Sequence, residues 1–456
     1  MKKILLLTTL LVVTFTLFAT ESSRDTLKEF SIITTAESVK PSPNNEWGIK
    51  WSGFITMEAF WDTRKPVEAR DGGIFLYPSN LLLDANGIDI NDRPSFNYVV
   101  MNTRLTAKIT APDALGAQIS GMIEGWFMGL SNDDMNGFAL RHAFIKMDWK
   151  KTQLLMGQTW HPLFTDRMFP ATVTGNAGAP FQPFSRAPQF RLTQKLSKSQ
   201  NLMLYCNAQR DMLSDGFDKR SPQYLRNSAL PEMGAQYILD RKNFKDDVLK
   251  SELYFGFGVD FKRIIPRLKT DANVATNNGL NSTTALVFMH YTKHFSTKTK
   301  MGIKFKSSFA QNTLEFLMMG GYAIKEYAMD STLSYNYDFE YTNLNTISNW
   351  LDLYINHKGW EFGVFTGYAQ NLGSFDNIQD PNNTKSYFAT LSNAAYLYRI
   401  GPRIKYTTNK MQFAFEPDYT GVLYGTKKNS NGTVDLTQPT NHLYNIRFLF
   451  STVLYF

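Results

Sequence analysis

The sequence predicts an all-β fold, a transmembrane antiparallel β-barrel of about sixteen strands, from three observations. Apolar and polar residues alternate at period two over segments long enough to cross a bilayer. The connections between those segments run alternately short and long. An export-type leader precedes them, and no later stretch is apolar enough for a spanning helix.

The leader comes first in the chain. Lys2 and Lys3 precede an apolar or hydroxyl run from Ile4 to Phe18, and Ala19 offers a small residue for cleavage, so residues 1–19 read as a secretory signal peptide. Residues 20–46 are polar, include Pro41 and Pro43, and read as a periplasmic leader or linker, leaving 47–456 for the barrel. Cys206 is the only cysteine, which excludes an intramolecular disulfide and a lipid anchor on a cysteine after the signal. Loss of Lys2 and Lys3 lowers the formal charge from +8 to +6, a dispersed excess that gives no reason to expect nucleic acid as a partner. Aromatic residues make up 14% of a chain whose mean hydropathy is slightly polar. That mixture suits a barrel with aromatic girdles, and equally a large secreted sandwich.

The alternation separates these two. Ile49, Trp51, Gly53, Ile55, Met57, Ala59 and Trp61 share one face, with Lys50, Ser52, Thr56, Glu58 and Asp62 on the other. The same pattern sets Val99, Met101, Leu105, Ala107 and Ile109 against Asn102, Arg104, Thr106 and Lys108, and Ile347, Leu351, Leu353 and Ile355 against Ser348, Asp352 and Asn356. Strands are expected at 47–62, 96–111, 117–129, 138–149, 153–160, 189–196, 201–210, 232–240, 251–263, 283–293, 298–309, 346–356, 360–370, 394–407, 410–424 and 442–456. Short turns fall at 112–116, 150–152, 197–200, 294–297, 358–359 and 408–409, with long loops between them. That is the rhythm of outer-membrane barrels, with short periplasmic turns and long extracellular loops. A connection from Arg241 to Lys250 is longer than the rhythm allows. In the last segment Phe448, Phe450, Leu454 and Phe456 share a face, a pattern resembling the C-terminal signal read by outer-membrane barrel-assembly machinery.

Leu140-Arg141-His142-Ala143-Phe144-Ile145-Lys146, followed after a turn by Gly157-Gln158-Thr159-Trp160 and Phe164, resembles the DcaP-like and phosphate-selective porins. About thirty residues carry the likeness. It implies a sixteen-stranded barrel, usually a homotrimer, with a third extracellular loop folded inward to narrow the pore, here from about His161 to Pro188 and including Arg167 and Arg186. The long heptad-bearing N-terminal segment of the DcaP-like pattern is missing, which puts a trimerising coiled coil in doubt. The basic run of a phosphate filter is also not evident.

By parity, Arg104, Lys108, Lys300, Lys304, Lys306, Arg399, Arg403 and Lys405 line the lumen, moderated by Glu58, Glu124, Asp352 and Glu416. Rings of Lys or Arg favour anions; a solvated mixed lumen without selectivity is the plainer alternative. Arg167 and Arg186 have a bland alternative too, as loop anchors for barrel carboxylates. Asp84, Asn86, Asp89, Asn91 and Asp92 gather oxygen atoms that suit either calcium or an Asx-rich turn. The histidines show no zinc-like spacing, and no nucleophile elbow, phosphate loop or dinucleotide fingerprint appears in a suitable context. The expected function is passive diffusion of small hydrophilic solutes, with some preference for anions, in contact with outer-membrane lipid and lipopolysaccharide. No catalytic residue, metal or cofactor is expected. The rivals are a non-transporting barrel with surface-binding loops and a rim-sited hydrolase.

Overall fold

The computed structural model describes residues 46–326 and 338–456; the signal peptide and nearly all of the leader expected at 1–46 lie outside them. Among the described residues, sixteen strands form one closed antiparallel barrel: β1 Gly48–Asp62, β2 in two segments Ser95–Val99 and Arg104–Ala114, β3 Ala117–Trp126, β4 Ala139–Asp148, β5 Thr152–Trp160, β6 Arg186–Lys195, β7 Gln200–Asn207 and β8 Glu232–Lys245. The second half comprises β9 Val248–Ile264, β10 Leu280–Ser296, β11 Thr299–Gln311, β12 Tyr341–His357, β13 Trp360–Gly373, β14 Ala394–Thr408, β15 Met411–Gly425 and β16 Thr440–Tyr455. Each strand pairs with its sequence neighbours, and β1 pairs with β16 from Phe54↔Tyr455 to Asp62↔Arg447, which closes the sheet. Phe456 joins that seam through Gly53, with N···O distances of 3.2 and 3.1 Å. Closure leaves no unpaired edge, which is what a sheet in lipid requires.

The faces are inverted relative to a water-soluble protein. On β1, Ile49, Trp51, Ile55, Met57 and Trp61 are exposed, whereas Thr56, Glu58 and Asp62 are buried. On β9, Phe257, Val259 and Phe261 point outward, while Asp260 and Lys262 point inward and are buried. Apolar residues thus cover the outside, and polar and ionisable ones are packed inside. Water would not sustain this arrangement, and hydrocarbon does.

The connection from Arg241 to Lys250 differs from the sequence expectation. Strands β8 and β9 continue to Lys245 and from Val248, so the turn is two residues long. Asp246 and Asp247 both have positive φ, 52° and 58°, as a hairpin turn matched to strand twist demands. Arg241, Lys242, Lys245 and Lys250 hide the alternation because the hairpin runs on beyond the apolar belt, where both faces are wet.

Two irregularities matter for the interior. The break in β2 lets Thr56 N–H donate to Thr103 Oγ1 at 3.2 Å, and Asn102 Nδ2 donates to Glu58 Oε1 at 3.1 Å. In β4 a bulge leaves Arg141 unpaired between Leu140 and His142, so Arg141 and His142 are both buried although adjacent.

Candidate functional site: the loop-lined lumen

The long loops do more than connect strands. In the first, Pro66–Ala69 and Ile74–Pro78 form a small hairpin whose Ile74 and Phe75 are almost fully buried. In the third, residues 161–185 are hydrogen-bonded to strands on the far side of the barrel from β5 and β6. Lys306 on β11 donates to the carbonyls of Leu163 (3.1 Å) and Phe164 (2.6 Å) and to Gln182 Oε1 (3.2 Å). Lys304 donates to the Phe169 carbonyl, and Lys405 to that of Ala171 at 2.5 Å. Carboxylates hold the opposite backbone polarity: Asp352 accepts Ala171 N–H at 2.8 Å, and Glu416 accepts those of Val173 (2.8 Å) and Thr174 (3.3 Å). Ser348 Oγ donates to the Phe181 carbonyl at 2.8 Å. A loop out of bulk water needs partners for its peptide groups, and here polar and ionisable side chains of the wall supply them.

Arginines tie the first loop to the same frame. Arg399 donates to the carbonyls of Ala179 (3.1 Å) and Leu76 (2.7 Å), so it holds both loops at once. Arg447 forms a two-pronged pair with Asp62 (3.0 and 2.8 Å) and donates to the Gly72 carbonyl at 2.6 Å. Asn176 Nδ2 reaches the Phe75 carbonyl at 3.0 Å, joining the loops directly. Between them lies an apolar core that includes Phe75's neighbours Ile74 and Leu76, Trp160, Phe164, Phe181, Phe184, Phe316, Trp350 and Phe365.

The remaining predicted residues fall as follows. Arg403 pairs with Asp352 (2.6 Å) and Glu361 (2.9 Å), both contacts to the wall. Lys108 is half-buried, opposite Lys50 in register, and makes no ion pair among the described residues. Lys300 lies in register between His294 and Asn356 at the short-turn end. Arg167 pairs with Asp240 of β8 and lies 4.4 Å over the Tyr254 ring. Arg186 pairs with Asp211 at 2.9 Å. Arg104 lies 5.0 Å from the Phe54 ring centre. Five of the eight basic residues assigned to the pore wall, Lys304, Lys306, Arg399, Arg403 and Lys405, are thus committed to loop carbonyls or carboxylates.

His161, Glu232 and Asp260 are buried together, with ligand-type atoms within 4.8 Å of one another. The imidazole argues against a metal. Its Nδ1 accepts Leu163 N–H at 3.2 Å, and its Nε2 lies 2.8 Å from Asn207 Nδ2 and 3.3 Å from Glu232 Oε1. Both ring nitrogens are thus engaged by protein groups. The acidic stretch of the first loop is likewise an Asx turn: Asp84 Oδ1 accepts the N–H groups of Asn86 and Ile88, both at 2.8 Å. Those backbone donors, Ile88 first, hold the Asp84 carboxyl below its ordinary range.

Sequence reasoning missed Arg141, His142, Trp126 and Trp160 as lumenal residues of interest. Arg141-His142 was visible as a motif, but the bulge that turns both inward was not. Arg447 was legible by parity alone.

No family model matches the chain, and no curated protein matches it. Among solved structures, the DcaP outer-membrane channel of Acinetobacter baumannii is similar over 91% of this chain and 99% of its own, with 14% identity and a TM-score of 0.58. An anion-selective porin from Comamonas acidovorans follows over 90% and 100%, with 9% identity and a TM-score of 0.49. Pseudomonas putida OprB follows over 90% and 94%, with 10% identity and a TM-score of 0.47. The chain has the closed sixteen-strand fold of porin-like outer-membrane barrels.

Proposed function

We propose that the protein is an outer-membrane channel through which small hydrophilic solutes diffuse passively, with a preference for anions. The observation that carries this reading is the inverted barrel: sixteen strands, apolar outside, enclose a lumen of polar and ionisable side chains. At this strand number porin barrels are wide enough for an aqueous path, and the inward loops narrow it. The similar channels support the outer-membrane location, and by the same likeness we propose a homotrimer, lipid and lipopolysaccharide around the apolar belt, and assembly through the β16 strand.

One observation favours the rival, a barrel that does not transport. The apolar core that joins Ile74 and Leu76 of the first loop, Phe164, Phe181 and Phe184 of the third, and Phe316 after β11 fills part of the lumen. Osmotic swelling of proteoliposomes separates the two. A channel admits uncharged sugars up to a size limit, and sugar acids of equal size faster. A closed barrel leaves swelling at the level of empty vesicles.

A further inference from the structure

On the inner face of β2 to β6, level with Arg104 midway along β2, three guanidiniums surround one indole. Arg141 lies 4.1 Å from the Trp126 ring centre, Arg186 4.5 Å and Arg104 5.7 Å. Arg141 and Arg186 also lie against Trp160, at 5.5 and 5.2 Å. Two carboxylates take hydrogen bonds from these cations, and a third, Glu58, stands behind Asn102 on the Arg104 side. Glu124 takes Arg141 Nε at 2.7 Å, and Asp211 takes Arg186 Nε at 2.9 Å. Arg104 has only a 3.4 Å contact to Asn102 Oδ1.

The donors left over point to a ligand. Arg104 Nε, Arg141 Nη2, Arg186 Nη1 and Trp160 Nε1 are all shielded from water and lack a hydrogen-bond partner. Arg141, Arg186 and Trp160 are each no more than 2% exposed. A buried N–H without an acceptor is costly, and four on one side of the barrel are more so. An oxyanion offers several acceptor oxygens and a negative charge to such donors at once. This cluster is separate from Lys304, Lys306 and Lys405, whose amines are already taken by loop carbonyls.

We infer that Arg104, Arg141, Arg186 and the Trp160 N–H form a binding subsite for one oxyanion group, a carboxylate or a phosphate, on the inner wall of the barrel. Arg104, half-buried, is the member that solvent reaches, and it passes the anion to the two deeper guanidiniums. The inference rests on the channel reading and locates its anion preference in a wall cluster instead of in the lysines.

The test is calorimetric titration of the refolded full-length barrel with inorganic phosphate and with acetate, at constant ionic strength set by chloride. Saturable binding of at least one anion is expected, roughly tenfold weaker in Arg104→Gln and in Trp160→Phe. Trp160→Phe keeps the ring and removes the donor, and heat-modifiable gel mobility certifies that each variant is folded. Which anion binds more tightly identifies the group. Absence of saturable binding in the folded wild type, or binding unchanged by either substitution, overturns the subsite. A protein that conducts in bilayers but binds neither anion refutes this inference alone; one that binds but never conducts refutes the channel reading alone.

Discussion

Lys306 shows how one residue can be misread by its charge. Parity places its amine in the lumen, where a cation suggests an anion filter; its neighbours make it a clamp on the Leu163 and Phe164 carbonyls. Lys306→Met strands both carbonyls in a buried place at a cost of about 1–3 kcal/mol. Protease cutting within 161–185 should accelerate while the barrel keeps its folded gel mobility. Gly367 tests the same docking from the apolar side. A Cβ there would lie 2.5 Å from the Phe181 ring, so Gly367→Val should displace the third loop and give the same pattern of cutting. Lys428, in the last long loop, sits 3.5 Å over the Tyr387 ring, and burial pulls its amine down to about 8. The unfolded loop therefore binds more protons between about 8 and the ordinary lysine value near 10.5. Local stability should rise with pH across that window. Hydrogen-exchange protection in residues 426–439, corrected for intrinsic rates, should increase from pH 8 to 10 in the wild type and stay flat in Lys428→Met.

At the scale of the element, most strands were legible because period two is a strict consequence of strand geometry and one face had to meet lipid. The misplaced turn at Arg241 to Lys250 marks where that constraint ends, since outside the bilayer neither face need be apolar. Its Asp246 and Asp247 pay for left-handed backbone that glycine or asparagine adopts more readily. Asp246→Asn with Asp247→Gly should stabilise the β8–β9 hairpin by about 1 kcal/mol, read as a higher urea midpoint in refolding. Arg141 was hidden for a different reason: one bulged residue breaks parity locally, and sequence alone does not show where the ladder slips. Parity also tells which face a residue is on and nothing of what fills the space beyond. The commitment of Lys304, Arg399 and Lys405 to loop backbone was therefore out of reach.

The whole molecule joins an apolar exterior to a polar interior in which Lys304, Lys306, Arg399 and Lys405 hold loops, leaving a smaller set facing the solute path. The exterior is tested by Phe257→Arg, which should destabilise the barrel in lipid by roughly 2–4 kcal/mol, because β9 carries that ring near mid-strand on the outward face. The central claim concerns the path itself, and the reversal potential of single channels in a planar bilayer under a potassium chloride gradient tests it most directly. Discrete steps with a reversal potential displaced toward the chloride equilibrium value are predicted; folded protein that gives no steps, or steps that favour potassium, would contradict the account.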